Sequence, residues 1–226
     1  MKEDQCEGIV LRSVEYKEKE RILTLFTKEK GILSCIVKGI SQKKYHLLAQ
    51  TALFCQSEFT LRKNNSDLYY FIEAKIMEEH LFLRSEYSHL RIAGEFAKAV
   101  SLSQLPGKSS PLLYALLLSF MRQIPSFSNP YPLISSYYLK ILHHEGLQVG
   151  QKSCSVCDEQ PALFLYKGEN FCKYHTHSSA HYFSKEEWTL IEKLSMTRQY
   201  EALKTLDVSE MLQKKIENYF KDMMQG

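Results

Sequence analysis

The sequence predicts an α+β protein: an N-terminal five-stranded β-barrel followed by an all-helical domain carrying a zinc-finger insertion. Three observations predict it. Apolar residues alternate with a period near two over the first eighty positions, the period turns helical from about Leu81, and two close pairs of soft metal ligands interrupt the helices between about residues 150 and 178. The expected division is a barrel over 1–80 and a helical domain over 81–226.

Ile9, Leu11 and Val14 open the first strand, and Ile22-Leu-Thr-Leu-Phe-Thr27 is the second. The turn Lys28-Glu-Lys-Gly31 folds it onto Ile32-Leu-Ser-Cys-Ile-Val37 as a hairpin. Ala52–Leu61 supplies a fourth strand, Asn64-Asn-Ser-Asp67 a turn, and Leu68–Ile76 a fifth. Five strands with one longer connection after the third fit a small closed barrel. The oligonucleotide-binding (OB) fold is the leading form, because it has five strands and a basic, aromatic-bearing face. An SH3-like barrel has the same pattern and stays open.

The helical region begins with Leu83, Tyr87, Leu90, Gly94 and Ala97 on one stripe, where Gly94 would let a neighbouring helix approach. Pro111–Met121 is apolar nearly all round and reads as a buried helix, with proline in its first turn and Pro125 ending it. Asn129-Pro130 opens the next, which runs through Leu133, Tyr137 and Ile141 to Gly146 at a left-handed C-cap. Ser184-Lys-Glu-Glu187 has the form of a capping box. Ser209 or Asp207 caps a last helix with Leu212, Ile216, Tyr219 and Met223 on one face.

The sharpest chemical signal is Cys154-x2-Cys157 followed by Cys172-x2-His175. Each pair is spaced for a knuckle turn that aims two soft donors at one ion, and Pro161–Gly168 between them reads as a short hairpin. Three thiolates and an imidazole close a tetrahedron. A catalytic zinc keeps a position open for water, so the set argues for structural Zn2+. His177 competes with His175 for the fourth place, and His181 is more distant. Cys6, Cys35 and Cys55 stand singly among apolar residues and read as core thiols. The polar opening residues and the absence of any run long enough for a membrane span point to a cytoplasmic protein with reduced thiols.

A formal net charge of +3 announces nothing by itself, but the charge is uneven. Between Glu29 and Glu58 there is no acid, while Lys30, Lys38, Lys43 and Lys44 lie there with His46 beside them. A second acid-free stretch, Phe96 to His144, holds Lys98, Lys108, Arg122 and Lys140. The carboxylates are dispersed, and no Ser/His/Asp spacing, phosphate loop or paired-aspartate motif appears. The chain therefore reads as a non-enzyme. A zinc-containing protein–protein adaptor without direct DNA binding is the alternative to a nucleic-acid-binding protein.

The run Gly8-Ile-Val-Leu-Arg12 through Lys30-Gly31, with Val37-Lys-Gly39, resembles the opening of the bacterial RecO family of recombination mediators. The order of parts is similar too: barrel, helices, and a zinc module inserted among the helices. The resemblance implies a bacterial, nucleoid-associated protein of recombinational DNA repair that binds single- and double-stranded DNA and anneals complementary strands. It also implies assistance, with RecR, in loading RecA onto strands coated by single-strand-binding protein (SSB). On that reading Lys38, Lys43, Lys44, Tyr45, Arg12, Arg62 and Lys63 contact DNA, with the three lysines on a loop overhanging the barrel. Lys98, Lys108, Arg122 and Lys140 would be basic rims for the acidic C-terminal tail of SSB. Two features depart from the family pattern: the fourth ligand position is His175 rather than cysteine, and the connection Ile40–Leu48 is poor in arginine.

Overall fold

In a computed structural model that describes residues 3–63, 67–147 and 153–225, the N-terminal alternation becomes β1 (Glu3–Lys17), β2 (Glu20–Thr27), β3 (Gly31–Lys38), β4 (Gln56–Lys63) and β5 (Leu68–Glu78). Residues 64–66, the body of the turn expected before the fifth strand, lie outside the described residues, as do residues 150–152 at the start of the insertion. The strands close in the order β1-β2-β3-β5-β4, with β4 returning to β1. The parallel pair that joins β3 to β5, Ser34 to Leu68 through Ile36 to Tyr70, gives the OB arrangement. Burial alternates because one face of each strand fills the barrel. Val10, Leu23, Leu25, Cys35, Phe59 and Leu61 are fully enclosed there.

The long connection contains a helix that the alternation did not announce, α1 (Tyr45–Gln50), whose Leu47 joins the barrel core. The fourth strand begins at Gln56, not Ala52. Thr51 donates its hydroxyl to the Leu47 carbonyl at 2.7 Å and so ends α1. Phe54 then takes φ +62° while its amide donates to the Val10 carbonyl at 2.8 Å. Apolar residues 52–55 thus turn a corner instead of extending a ladder. Gly31 is required for a different reason: it has φ +63°, and a Cβ there would sit 2.0 Å from the Lys108 carbonyl oxygen.

The first compact unit runs to Arg122 and the second begins at Gln123. The first therefore includes α2 (Tyr87–Ser103) and nearly all of α3 (Pro111–Gln123), whereas the sequence-based division at 80 separates strands from helices. An edge-to-face contact of Phe26 with Tyr114, centroids 5.7 Å apart, fastens α3 to β2. The buried face of α2 is Ile92, Ala93, Phe96, Ala97, Ala99 and Val100, so of the expected stripe Leu83 and Ala97 are buried and Tyr87 and Gly94 are not. Tyr87 is 81% exposed, and nothing lies within 4 Å of a Cβ built on Gly94. Helix α3 buries most of its surface as expected, but Leu112 stays exposed.

The second unit contains α4 (Tyr131–His144), a small sheet of β6 (Phe164–Tyr166), β7 (Glu169–Phe171) and β8 (His181–Tyr182), then α5 (Lys185–Met196), α6 (Tyr200–Lys204) and α7 (Glu210–Gln225). The capping box forms: Ser184 Oγ accepts from the Glu187 amide at 3.2 Å and Glu187 accepts from the Ser184 amide at 2.8 Å. Gly146 takes φ +82° past the end of α4, and Ser209, not Asp207, caps α7 by accepting from the Leu212 amide. Leu133, Tyr137 and Ile141 of α4 and Ile216, Tyr219 and Phe220 of α7 are the center of this unit's core.

Candidate functional site

Both knuckles of the insertion are built by backbone hydrogen bonds. The Asp158 amide donates to the Cys154 carbonyl at 2.9 Å and the His175 amide to the Cys172 carbonyl at 3.2 Å, each closing a tight turn. Between them, β6 and β7 join through Lys167 and Gly168, both at positive φ, the backbone a two-residue hairpin of primed type demands. That hairpin brings the second knuckle back to the first.

The ligand atoms of Cys154, Cys157, Cys172 and His175 all lie within 4.8 Å of one another. Around an ion with bonds of about 2.3 Å to sulfur and about 2.0 Å to nitrogen, tetrahedral angles put ligand atoms roughly 3.5–3.8 Å apart. The observed separations are 3.4 Å for Cys172 Sγ to His175 Nδ1, 3.7 Å for Cys154 Sγ to His175 Nδ1, and 3.9 Å for Cys157 Sγ to Cys172 Sγ. The cluster fits a zinc site. His177 is otherwise engaged, its ring stacked on Tyr166 at 4.5 Å and edge-on to Phe171 at 5.1 Å. His181 is likewise occupied, 2.8 Å from Asp222. Burial works against a charged Cys154, but the amides of Cys172, Val156 and Cys157 and the His175 ring outweigh it and bring the thiol down to about 6. Cys6 and Cys35 are the opposite case: burial pushes their thiols up to about 11 and about 12, as core residues.

On the barrel, a groove of about 690 Å³ opens where β3 and β5 diverge beyond Ile36 and Tyr70 and α1 fills part of the gap. Lys38, Lys44 and Arg62 converge on it from β3, the residue before α1, and β4. Its floor includes Tyr70, Phe71 and Ile72, and the Gln50 amide is tied to the Ala74 carbonyl at its edge. The Lys38 ammonium lies 5.4 Å from the Tyr70 ring centroid and 3.9 Å from Glu20, and Arg62 pairs with Glu3 at 3.0 Å. Lys44 has no ion-pair partner among the described residues.

The other sequence-selected residues are dispersed. Lys43 and Tyr45 flank the groove, exposed, outside its lining. Lys63 lines a neighbouring groove with Lys30 and Tyr69, and Arg12 lies on β1 opposite Thr24. Lys98 and Lys108 are exposed. Arg122 is tied to Glu78 at 2.8 Å, and Lys140 donates its ammonium to the Ser195 and Thr197 carbonyls at 3.2 and 2.9 Å, with burial lowering its pKa. Sequence reasoning missed Tyr70 and Gln50 as groove residues. A bulge between Thr60 and Leu61 shifts the phase of β5 against β4, so alternation alone does not say which of Tyr69, Tyr70 and Phe71 faces the groove.

A closed OB barrel with a cation-rimmed groove, and helices that carry a Cys3His cluster, define the class: an OB-fold protein with a cluster that could hold a metal ion. Residues 1–80 match the family model described as Recombination protein O N terminal. The chain is 28% identical to the DNA repair protein RecO of Chlamydia pneumoniae over 198 residues, 87% of this chain and 78% of that one. It is 26% identical to that of Listeria welshimeri, covering 71% of this chain and 63% of the relative, and 29% identical to that of Acetivibrio thermocellus, covering 66% and 60%. The RecO resemblance seen in the sequence is thus shared over most of the chain. No helix among the described residues is long and apolar enough to cross a membrane.

Proposed function

We propose that the chain is a non-enzymatic DNA-binding mediator of recombinational repair, with Zn2+ held by Cys154, Cys157, Cys172 and His175 as a structural clip. The observation that carries this reading is the convergence of Lys38, Lys44 and Arg62 on one groove floored by Tyr70, Phe71 and Ile72. Cations on the rim neutralise phosphates and release their counterions, while an apolar, aromatic floor takes the faces of unpaired bases. Phosphate neutralisation and stacking carry no sequence information, so a groove that works through them suits strands of any sequence. Lys43 and Tyr45 beside it, and Lys63 and Arg12 further along the barrel, extend the contact to longer strands and to duplex. The activity that follows is annealing of complementary strands and, with RecR, assistance to RecA on SSB-coated DNA. Exposed Lys98 and Lys108 remain available to an acidic tail.

A protein–protein adaptor is the second reading, favoured by the knuckle tips, where Val156 is 63% and Tyr174 73% exposed. An annealing assay on SSB-coated complementary strands separates the two. With Lys38, Lys43 and Lys44 replaced by Glu, annealing falls at least about tenfold and the salt slope of single-strand binding becomes shallower by about 2. Unchanged annealing and slope would leave the adaptor reading standing.

A further inference from the structure

The outward residues of β4 change sign along the strand: Arg62, Thr60, then Glu58. Their cross-strand neighbours are mixed in sign. Arg62 lies between Glu3 and Tyr70, Thr60 between Gln5 and Glu73, and Glu58 between Glu7 and Lys75. Two grooves therefore share one wall of the barrel. The basic one has been described. The other, of about 470 Å³, is lined by Glu7, Glu29, Glu58 and Glu73 against the single cation Lys75. Glu73 and Ala74 line both. Glu7 is neutralised in part, by Lys28 at 3.6 Å and the Gln56 amide at 2.8 Å, but no ion pair engages Glu58 or Glu73 among the described residues.

We infer that Glu73, with Glu58 behind it, is the electrostatic end of the DNA track on the barrel, and that it confines the strand to a short segment running from Lys44 to Arg62. This rests on the reading above that the basic groove takes DNA. A strand that continued past Arg62 along the barrel wall would bring its next phosphates against Glu73 and then Glu58, and like charges a few ångström apart at a protein surface repel. The β4–β5 pair continues beyond Glu73 and Thr60 through Glu58 and Lys75 to Gln56 and Glu78, so the sheet does not end there. A barrel so bounded occupies the low end of the range of roughly 4–16 nucleotides that OB folds cover, and leaves the rest of each strand's bases open for pairing. Glu58, which lies outside the basic groove, acts on the reach of the site and not on its contacts with the first few nucleotides.

The test uses the full chain, labelled oligo-dT from about 4 to about 16 nucleotides, and the variant Glu58→Lys, an exposed position outside the lining of the basic groove. The variant is expected to bind the shortest strand within about twofold of the parent. It should bind the longest several-fold more tightly, with a salt slope steeper by about 0.7 if one phosphate is gained. A charge-matched control, Glu201→Lys, should show no gain that depends on length. An equal gain at every length, the same length dependence in the control, or no gain at all overturns the inference while leaving the DNA-binding groove intact. If Lys38→Glu with Lys44→Glu also leaves affinity unchanged at every length, the groove itself is not the site and both readings fall together.

Discussion

The barrel and the metal module solve the problem of holding β-structure together in opposite ways. The barrel closes its hydrogen-bonded ladder on itself and fills it with a cluster of twelve buried residues, among them the thiols Cys6 and Cys35, kept protonated by burial. The module has strands of two or three residues and, among the described residues, a buried cluster of Cys154, Ala162, Phe171 and Cys172, two of which belong to the group that could hold a metal ion. Cysteine is an apolar filler in one and part of a polar cluster in the other: backbone amides converge on Cys154 and lower its pKa, whereas burial raises that of Cys35. The barrel draws its stability from area removed from water, whereas on the proposed reading a module with so small a core would draw it from a bound ion.

The largest effect that would break this comparison is metal loss. Cys154→Ser or Cys172→Ser should abolish a full equivalent of bound zinc and open residues 153–183 to protease, because the binding free energy of a structural site is folding free energy. Circular dichroism of the barrel strands should persist. His175→Ala should lose the metal likewise, and His177→Ala should keep it; retention of zinc by the His175 variant would show the ligand set to be wrong. Next comes the barrel core: Phe59→Ala, at a fully buried site, should cost about 3–5 kcal/mol in denaturant unfolding of the first unit and leave metal content unchanged. A loss of zinc in that variant would mean that the two parts do not stand on separate supports.

The smallest effect sharpens the contrast between the thiols. Cys35 has its folded pKa raised by burial, so its protonated form is retained in the fold while the unfolded chain ionises near the ordinary thiol value of 9.0. Its contribution is fully present below pH 9 and is lost as pH rises towards about 12, on the order of 1 kcal/mol per pH unit in that window. Melting of Cys35→Ala should therefore depend less steeply on alkaline pH than melting of the parent. Equal slopes would indicate that Cys35 is not sealed in the core.

Much of this was legible from local chemistry. Hydrophobic periodicity located β1, β2 and β3, Pro111 and Pro125 bracketed α3, and Ser184 with Glu187 marked the start of α5, since each is a matter of a few neighbouring residues. The four ligands were readable for the same reason. The readings that moved were those in which distance along the chain misleads. Phe54 turns a corner because Val10 takes its amide, and the apolar run from Ala52 carries no sign of that partner. The buried face of α2 was misread because Tyr87 and Leu90 are as apolar as Ile92 and Phe96, and only the packed neighbours choose between the stripes.

Composition and spacing alone determined that this chain has a strand-rich start, a helical remainder and a Cys3His metal-binding set, because periodicity and ligand spacing are properties of adjacent residues. The tertiary structure decided the rest. It chose the OB closure over the SH3-like one through the β3–β5 pair, preferred His175 to His177 by giving the latter's ring to Tyr166, and gathered Lys38, Lys44 and Arg62 around Tyr70. Each of those choices depends on groups far apart in sequence meeting at a few ångström, and only the folded chain determines which of them meet.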